Sequence, residues 1–75
     1  APSAAGQANT PAELFNLAYV LDRQGEKDRA LALYEQCLAL DPRYYVAALN
    51  LGQLQLEKGR PDLAARAFQK ARKRR

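Results

Sequence analysis

The feature that most constrains this chain is an internal repeat with a period of 34 residues. Laying residues 10–41 over 44–75 gives five identities: Asn16/Asn50, Leu17/Leu51, Gly25/Gly59, Asp28/Asp62 and Ala30/Ala64. Phe15/Leu49, Ala18/Gly52, Tyr34/Phe68 and Cys37/Ala71 keep size and character. The count is small, so the inference rests on placement. Small residues fall where two helices could cross closely, a glycine falls between helices, and an Ala-x-x-x-aromatic step recurs on a second helix. A unit repeating at this spacing is one supersecondary element stacked on its copy. The 75 residues therefore read as a short solenoid with a modest core.

Local signals place four helices. Thr10-Pro11-Ala12-Glu13 combines an N-cap hydroxyl, Pro at the first helical position and Glu three residues after the cap. The first helix is predicted over 11–24, with Leu14, Leu17, Ala18 and Leu21 on its inward face and Gly25 as its left-handed stop. The second is predicted to start near Asp28, as cap or first-turn acid, and to reach Leu40. Ala30, Leu31, Leu33, Tyr34, Cys37, Leu38 and Leu40 make it apolar over a broad arc, so it should pack on two sides. Asp41-Pro42 ends it, because the residue before proline resists the α conformation.

The third helix is predicted from Tyr44 or Tyr45 to Lys58, with Ala48, Leu51, Gly52 and Leu54 inward and Gly59 as its stop. Pro61 opens the fourth, which should pack through Ala64, Ala67, Phe68 and Ala71. Short connections make neighbouring helices antiparallel. Residues 1–9 lack large apolar side chains and read as a disordered linker to something N-terminal, the chain being a piece of a longer polypeptide or a processed product. The repeats are expected over 10–43 and 44–75. Where the second helix has Ala32, Gln36, Leu38, Ala39 and Leu40, the fourth has Arg66, Lys70, Arg72, Lys73 and Arg74. A charged face at those positions predicts an end cap and a C-terminal domain.

These residues carry a family resemblance. Leu14-x-x-Leu17-Ala18-x-x-Leu21, then Ala30-x-x-x-Tyr34, then Asp41-Pro42, resembles one tetratricopeptide repeat. Ala48-x-x-Leu51-Gly52-x-x-Gln55, then Ala64-x-x-x-Phe68, resembles a second, and together they span roughly 11–75. The family's first-helix Trp is replaced by Leu14 and Ala48, and its Tyr by Leu21 and Gln55. The resemblance implies an all-α fold of two antiparallel helix-turn-helix hairpins, four helices in a short right-handed α-solenoid.

It also implies a protein–protein interaction module that takes a peptide or partner helix on a concave face. Matching positions give Ala12, Phe15, Asn16, Tyr19 and Asp22 from the first helix, and Val46, Leu49, Asn50, Gln53 and Leu56 from the third. Rings bury area while amides pair with a peptide backbone, which suits such a ligand. Ordinary core roles for Phe15 and Leu49 compete with this assignment. One family subtype grips a C-terminal carboxylate with Lys, Asn and Arg, but the corresponding places hold Phe15, Tyr19 and Leu49. Apolar contact is therefore expected to dominate. Two repeats fall short of the usual minimum of about three, so homodimerisation through Phe15, Tyr19 and Leu49 is the alternative.

Charge and chemistry narrow the remainder. Residues 1–69 carry seven basic and eight acidic side chains, and Lys70, Arg72, Lys73, Arg74 and Arg75 supply the rest of the +4 net charge. That tail could anchor the chain to an acidic partner, nucleic acid or anionic lipid. It could equally offset a helix dipole. No aromatic lies beyond Phe68 to stack bases, so nucleic acid is not an expected partner. With no His, and Ser3 as the sole serine, Ser/His and Cys/His catalysis is excluded within the chain. No phosphate loop or metal spacing appears, so neither enzyme activity nor a cofactor is expected. Cys37 is alone, which excludes an internal disulfide and fits buried packing in a reducing compartment, the cytoplasm being the expectation. No apolar run approaches the ~18 residues of a membrane span.

Overall fold

A computed structural model describes residues 10–72. The expected linker over 1–9 and tail residues Lys73, Arg74 and Arg75 lie outside the described residues. Four helices follow one another: α1 (Pro11–Arg23), α2 (Lys27–Leu40), α3 (Tyr45–Glu57) and α4 (Pro61–Arg72). Helices α1 and α2 form one hairpin and α3 and α4 another, with α2 also packed on α3. The result is a slab about 39 × 29 × 14 Å, thin enough that every helix keeps a face in solvent.

Sequence signals become hydrogen bonds at the helix ends. Glu13 N–H donates to Thr10 Oγ1 and Thr10 N–H to Glu13 Oε1, both at 3.1 Å, completing a capping box ahead of Pro11. Gly25 and Gly59 sit at φ 89° and 76°. Around Gly25, Gly25 N–H reaches the Asp22 carbonyl (3.0 Å) and Glu26 N–H the Leu21 carbonyl (2.8 Å). Gly59 to Leu56 and Arg60 to Gln55 repeat the same Schellman pair at 3.0 and 2.8 Å. Asp41 is extended at φ −140°, and its carboxylate accepts from Arg43 N–H at 3.0 Å, turning the chain into α3.

The core runs through the middle of the slab. Leu14, Ala18 and Leu21 of α1 meet Ala30, Tyr34, Cys37 and Leu38 of α2, and Ala47, Ala48, Leu51 and Leu54 of α3 continue the cluster to Ala67 and Ala71 of α4. Cys37 is buried and donates its S–H to the Pro11 carbonyl at 3.2 Å, which ties α2 to the first residue of α1. Lys27 pairs with Asp22 and, at 3.2 Å, with Glu57, while Lys58 pairs with Asp28. The Lys27–Glu57 and Lys58–Asp28 pairs join the two hairpins at their turn end, whereas Lys27–Asp22 lies within the first.

Two expectations need correction. Leu17 does not point inward: it is 40% exposed, whereas its repeat counterpart Leu51 is 7% exposed beneath α2. A position facing the preceding hairpin is covered only where one is present. Helix α2 begins at Lys27 with Asp28 in its first turn, one of the two roles expected for that residue, and Asp28 also pairs with Lys58. Of the α2 residues assigned to the next repeat, only Leu38 is buried, while Ala32, Gln36, Ala39 and Leu40 are exposed. Leu31 and Leu33, half-buried against the core, are the further apolar contributors from α2.

Candidate interaction surface

The face shared by α1 and α3 is organised around Tyr34. Burying a tyrosine in α2 requires a partner for its hydroxyl, and Asn50 Nδ2 of α3 donates to it at 3.1 Å. Burial raises the Tyr34 hydroxyl above the ordinary tyrosine pKa, although the Asn50 bond opposes the shift. The hydroxyl is therefore neutral at physiological pH and retains a proton to donate.

Phe15 of α1 lies over this floor. Its ring centroid is 5.7 Å from that of Tyr34, 5.6 Å from Tyr44 and 6.3 Å from Tyr19, the last pair stacked. Phe15 is half-buried and packs against the core. Tyr19 is exposed beyond it, its hydroxyl accepting from Arg23 at 3.3 Å. Ala12 and Asn16 are exposed along the same helix.

On α3, Val46, Leu49, Gln53 and Leu56 are exposed and Asn50 is half-buried. Asn50 has one amide hydrogen committed to Tyr34, which gives it a structural role beside any ligand role. Asp22 pairs with Lys27, and its charge adds to the effect of burial in raising the Tyr34 hydroxyl pKa. The sequence-level site thus resolves into an aromatic part, Phe15 and Tyr19 on α1, and an aliphatic part, Val46, Leu49 and Leu56 on α3.

The surface residue Tyr44 and the buried Tyr34 beneath it went unrecognised in the sequence. Tyr44 read only as a helix boundary, yet as the α3 N-cap it packs against Phe15. Tyr34 read as packing alone. The signal available was its difference from Phe68 at the counterpart position, since the extra hydroxyl needs a partner.

The basic tail is only partly described. Lys70 and Arg72 lie in the last turn of α4, both exposed. Arg72 occupies the counterpart of buried Leu38, so the outer edge of α4 is charged where that of α2 is apolar. Among the described residues no group of three or more His, Cys, Asp or Glu could hold a metal, and no helix is long and apolar enough to cross a membrane.

Comparison with known proteins finds a family model described as Tetratricopeptide repeat that matches residues 15–75. Among curated proteins no relative matches.

Proposed function

The chain belongs to the tetratricopeptide repeat family, whose members are generally protein–protein interaction modules, and on that premise we propose that its α1/α3 face binds a peptide or helix of another protein without catalysis. The observation that carries this reading is the aromatic group of Phe15, Tyr19 and Tyr44 together with the exposed Val46, Leu49 and Leu56 of α3. Buried rings supply most of the energy at such surfaces, and aliphatic neighbours exclude water around them. Arg23 lies 5.7 Å from the Tyr19 ring centroid, and the exposed aromatic and aliphatic side chains favour apolar contact with a peptide over charge pairing. The half-buried Asn50 amide provides polar groups for the ligand backbone beside its bond to Tyr34.

The experiment is selection of peptides from a random display library on the chain, followed by affinity measurement against variants. Tyr19→Ala and Leu49→Ala are each expected to weaken the selected peptides about tenfold, with the helical signal unchanged. Peptides bound equally well by both variants would defeat the assignment. Asn50→Ala is a poorer probe, because it also removes the partner of a buried hydroxyl.

A second reading, self-association, is favoured by the outer edge of α1. Leu17 and Val20 are 40% and 48% exposed, whereas Leu51 and Leu54 at the counterpart positions are 7% and 1% exposed. An apolar edge that the second repeat covers is left open on the first, and another copy would bury it. Light scattering over a tenfold concentration range decides: a dimer that Val20→Glu converts to monomer supports this reading, and a monomer throughout excludes it.

A further inference from the structure

The outer stripe of α1 has the same spacing in both directions. Glu13, Leu17, Val20 and the capping Gln24 follow at intervals of four, three and four, the spacing of a coiled-coil seam, and all four are exposed. At the counterpart positions of the first three on α3, Ala47, Leu51 and Leu54 are buried. The stripe is apolar at its centre and acidic at the Glu13 end. Exposed Arg23 flanks the other end, giving one donor to the Tyr19 hydroxyl and keeping the rest. Turned end for end, the stripe meets itself with Leu17 against Val20 and acid near base. A surface that is its own complement under a two-fold axis is what an isologous interface requires. The far end of the slab does not complement it. Copies stacked head to tail would set α4 over α1 as α2 sits over α3. Helix α4 carries exposed Arg72 where α2 has buried Leu38, and exposed Ala65 where α2 has half-buried Leu31. Covering Leu17 and Val20 with an unpaired guanidinium is unfavourable.

We propose that two copies of the chain pair through α1 alone, antiparallel, about a two-fold axis between Leu17 and Val20. This rests on the self-association reading above and adds the arrangement of the pair. The 13 residues of α1 give a seam about 20 Å long. Such a contact falls below the roughly 1,200 Å² where stable interfaces begin, so the dimer is weak, with a Kd on the order of micromolar. Phe15 and Tyr19 each stand two residues from Leu17, about 200° around the helix. Pairing through Leu17 and Val20 therefore leaves the aromatic surface open on both copies. One dimer presents two such faces, and a partner carrying two ligand segments gains from binding both at once.

Two measurements separate the arrangement from self-association itself. Light scattering on the unaltered chain should show mass that rises with concentration and saturates at two copies. A monomer throughout removes the arrangement and self-association together, whereas growth past two copies means head-to-tail stacking and overturns the arrangement alone. The second measurement is cross-linking in a Cys37→Ala background, where each chain carries one introduced thiol. Chains with Leu17→Cys, labelled with ¹⁵N, are mixed with unlabelled Val20→Cys chains in glutathione buffer, and disulfides are identified by mass. The disulfide between the two kinds of chain should exceed either homodisulfide about tenfold. Gln24→Cys chains should not cross-link to one another. Their Cα atoms would lie about 16 Å apart along the antiparallel seam, beyond the roughly 7 Å that a disulfide spans. Efficient Gln24→Cys cross-linking would show a parallel pair. Preference of Val20→Cys chains for Arg72→Cys over Leu17→Cys partners would show head-to-tail stacking. Either result overturns the proposal and leaves self-association standing.

Discussion

Two glycines of one type do unrelated work here, and the difference can be measured. At Gly52 the backbone is ordinary helix, but a Cβ would lie 2.5 Å from the Phe68 ring. Alanine there gains about 1 kcal/mol of helix propensity and loses about 1–3 kcal/mol to overpacking. A net destabilisation of about 1 kcal/mol is expected from the urea midpoint of Gly52→Ala. Gly25 has open space where its Cβ would be, and its difficulty is φ at 89°. Gly25→Ala should cost about 1–2 kcal/mol, the left-handed penalty of an L-residue. A second residue-level test uses Cys37, whose thiol burial pushes above the usual thiol range, with Asp41 adding to the shift. A raised folded pKa contributes stability that is full below the unfolded value, about 8.5, and is lost as pH rises through the folded one. Stability should therefore fall on going from pH about 7.5 to about 9.5. Cys37→Ala, which copies Ala71 of the second repeat, should show a smaller fall over the same interval.

Helix ends are the most local features of the chain, and they were the most legible. Thr10 and Glu13 satisfy each other three residues apart, so sequence spacing alone determines the box. Thr10→Ala should lower stability by about 1 kcal/mol and fray α1 first, read as faster exchange of its first-turn amides. Gly25, Gly59 and Asp41-Pro42 were legible as stops for the same reason. What periodicity could not give is the neighbour a helix face meets. Leu17 and Leu51 are the same residue at the same repeat position, and only the second is covered. The α1/α3 surface was legible as positions carried over from a family pattern, not as chemistry. The bond from Asn50 to Tyr34 joins residues 16 apart on different helices. Tyr44 was hidden in a turn, and the burial that leaves the Gln55 oxygen unpaired depends on packing that periodicity does not give.

Taken as a whole, the slab has an uneven distribution of core. Helix α2 is packed on both α1 and α3 and buries Tyr34, Cys37 and Leu38, whereas α4 packs on α3 and buries Ala64, Ala67 and Ala71. Alanine side chains remove far less apolar area from water than leucine or tyrosine, at about 25 cal/mol per Å². The floor beneath α4 also carries the unpaired Gln55 oxygen. In a repeat array, stability is the sum of unit and nearest-neighbour terms, so the unit with the smaller core and one neighbour opens first. Native-state hydrogen exchange should therefore find the α4 amides exchanging through a low-energy opening, with α2 exchanging only near global unfolding. Equal protection of α2 and α4 would show that the four helices unfold as one unit. Gln55→Leu sharpens the comparison, because removing the orphaned acceptor should slow exchange in α4 by about tenfold and leave α1 nearly unchanged. A uniform slowing across all four helices would instead place Gln55 in the global transition, and α4 would not be an independently opening element.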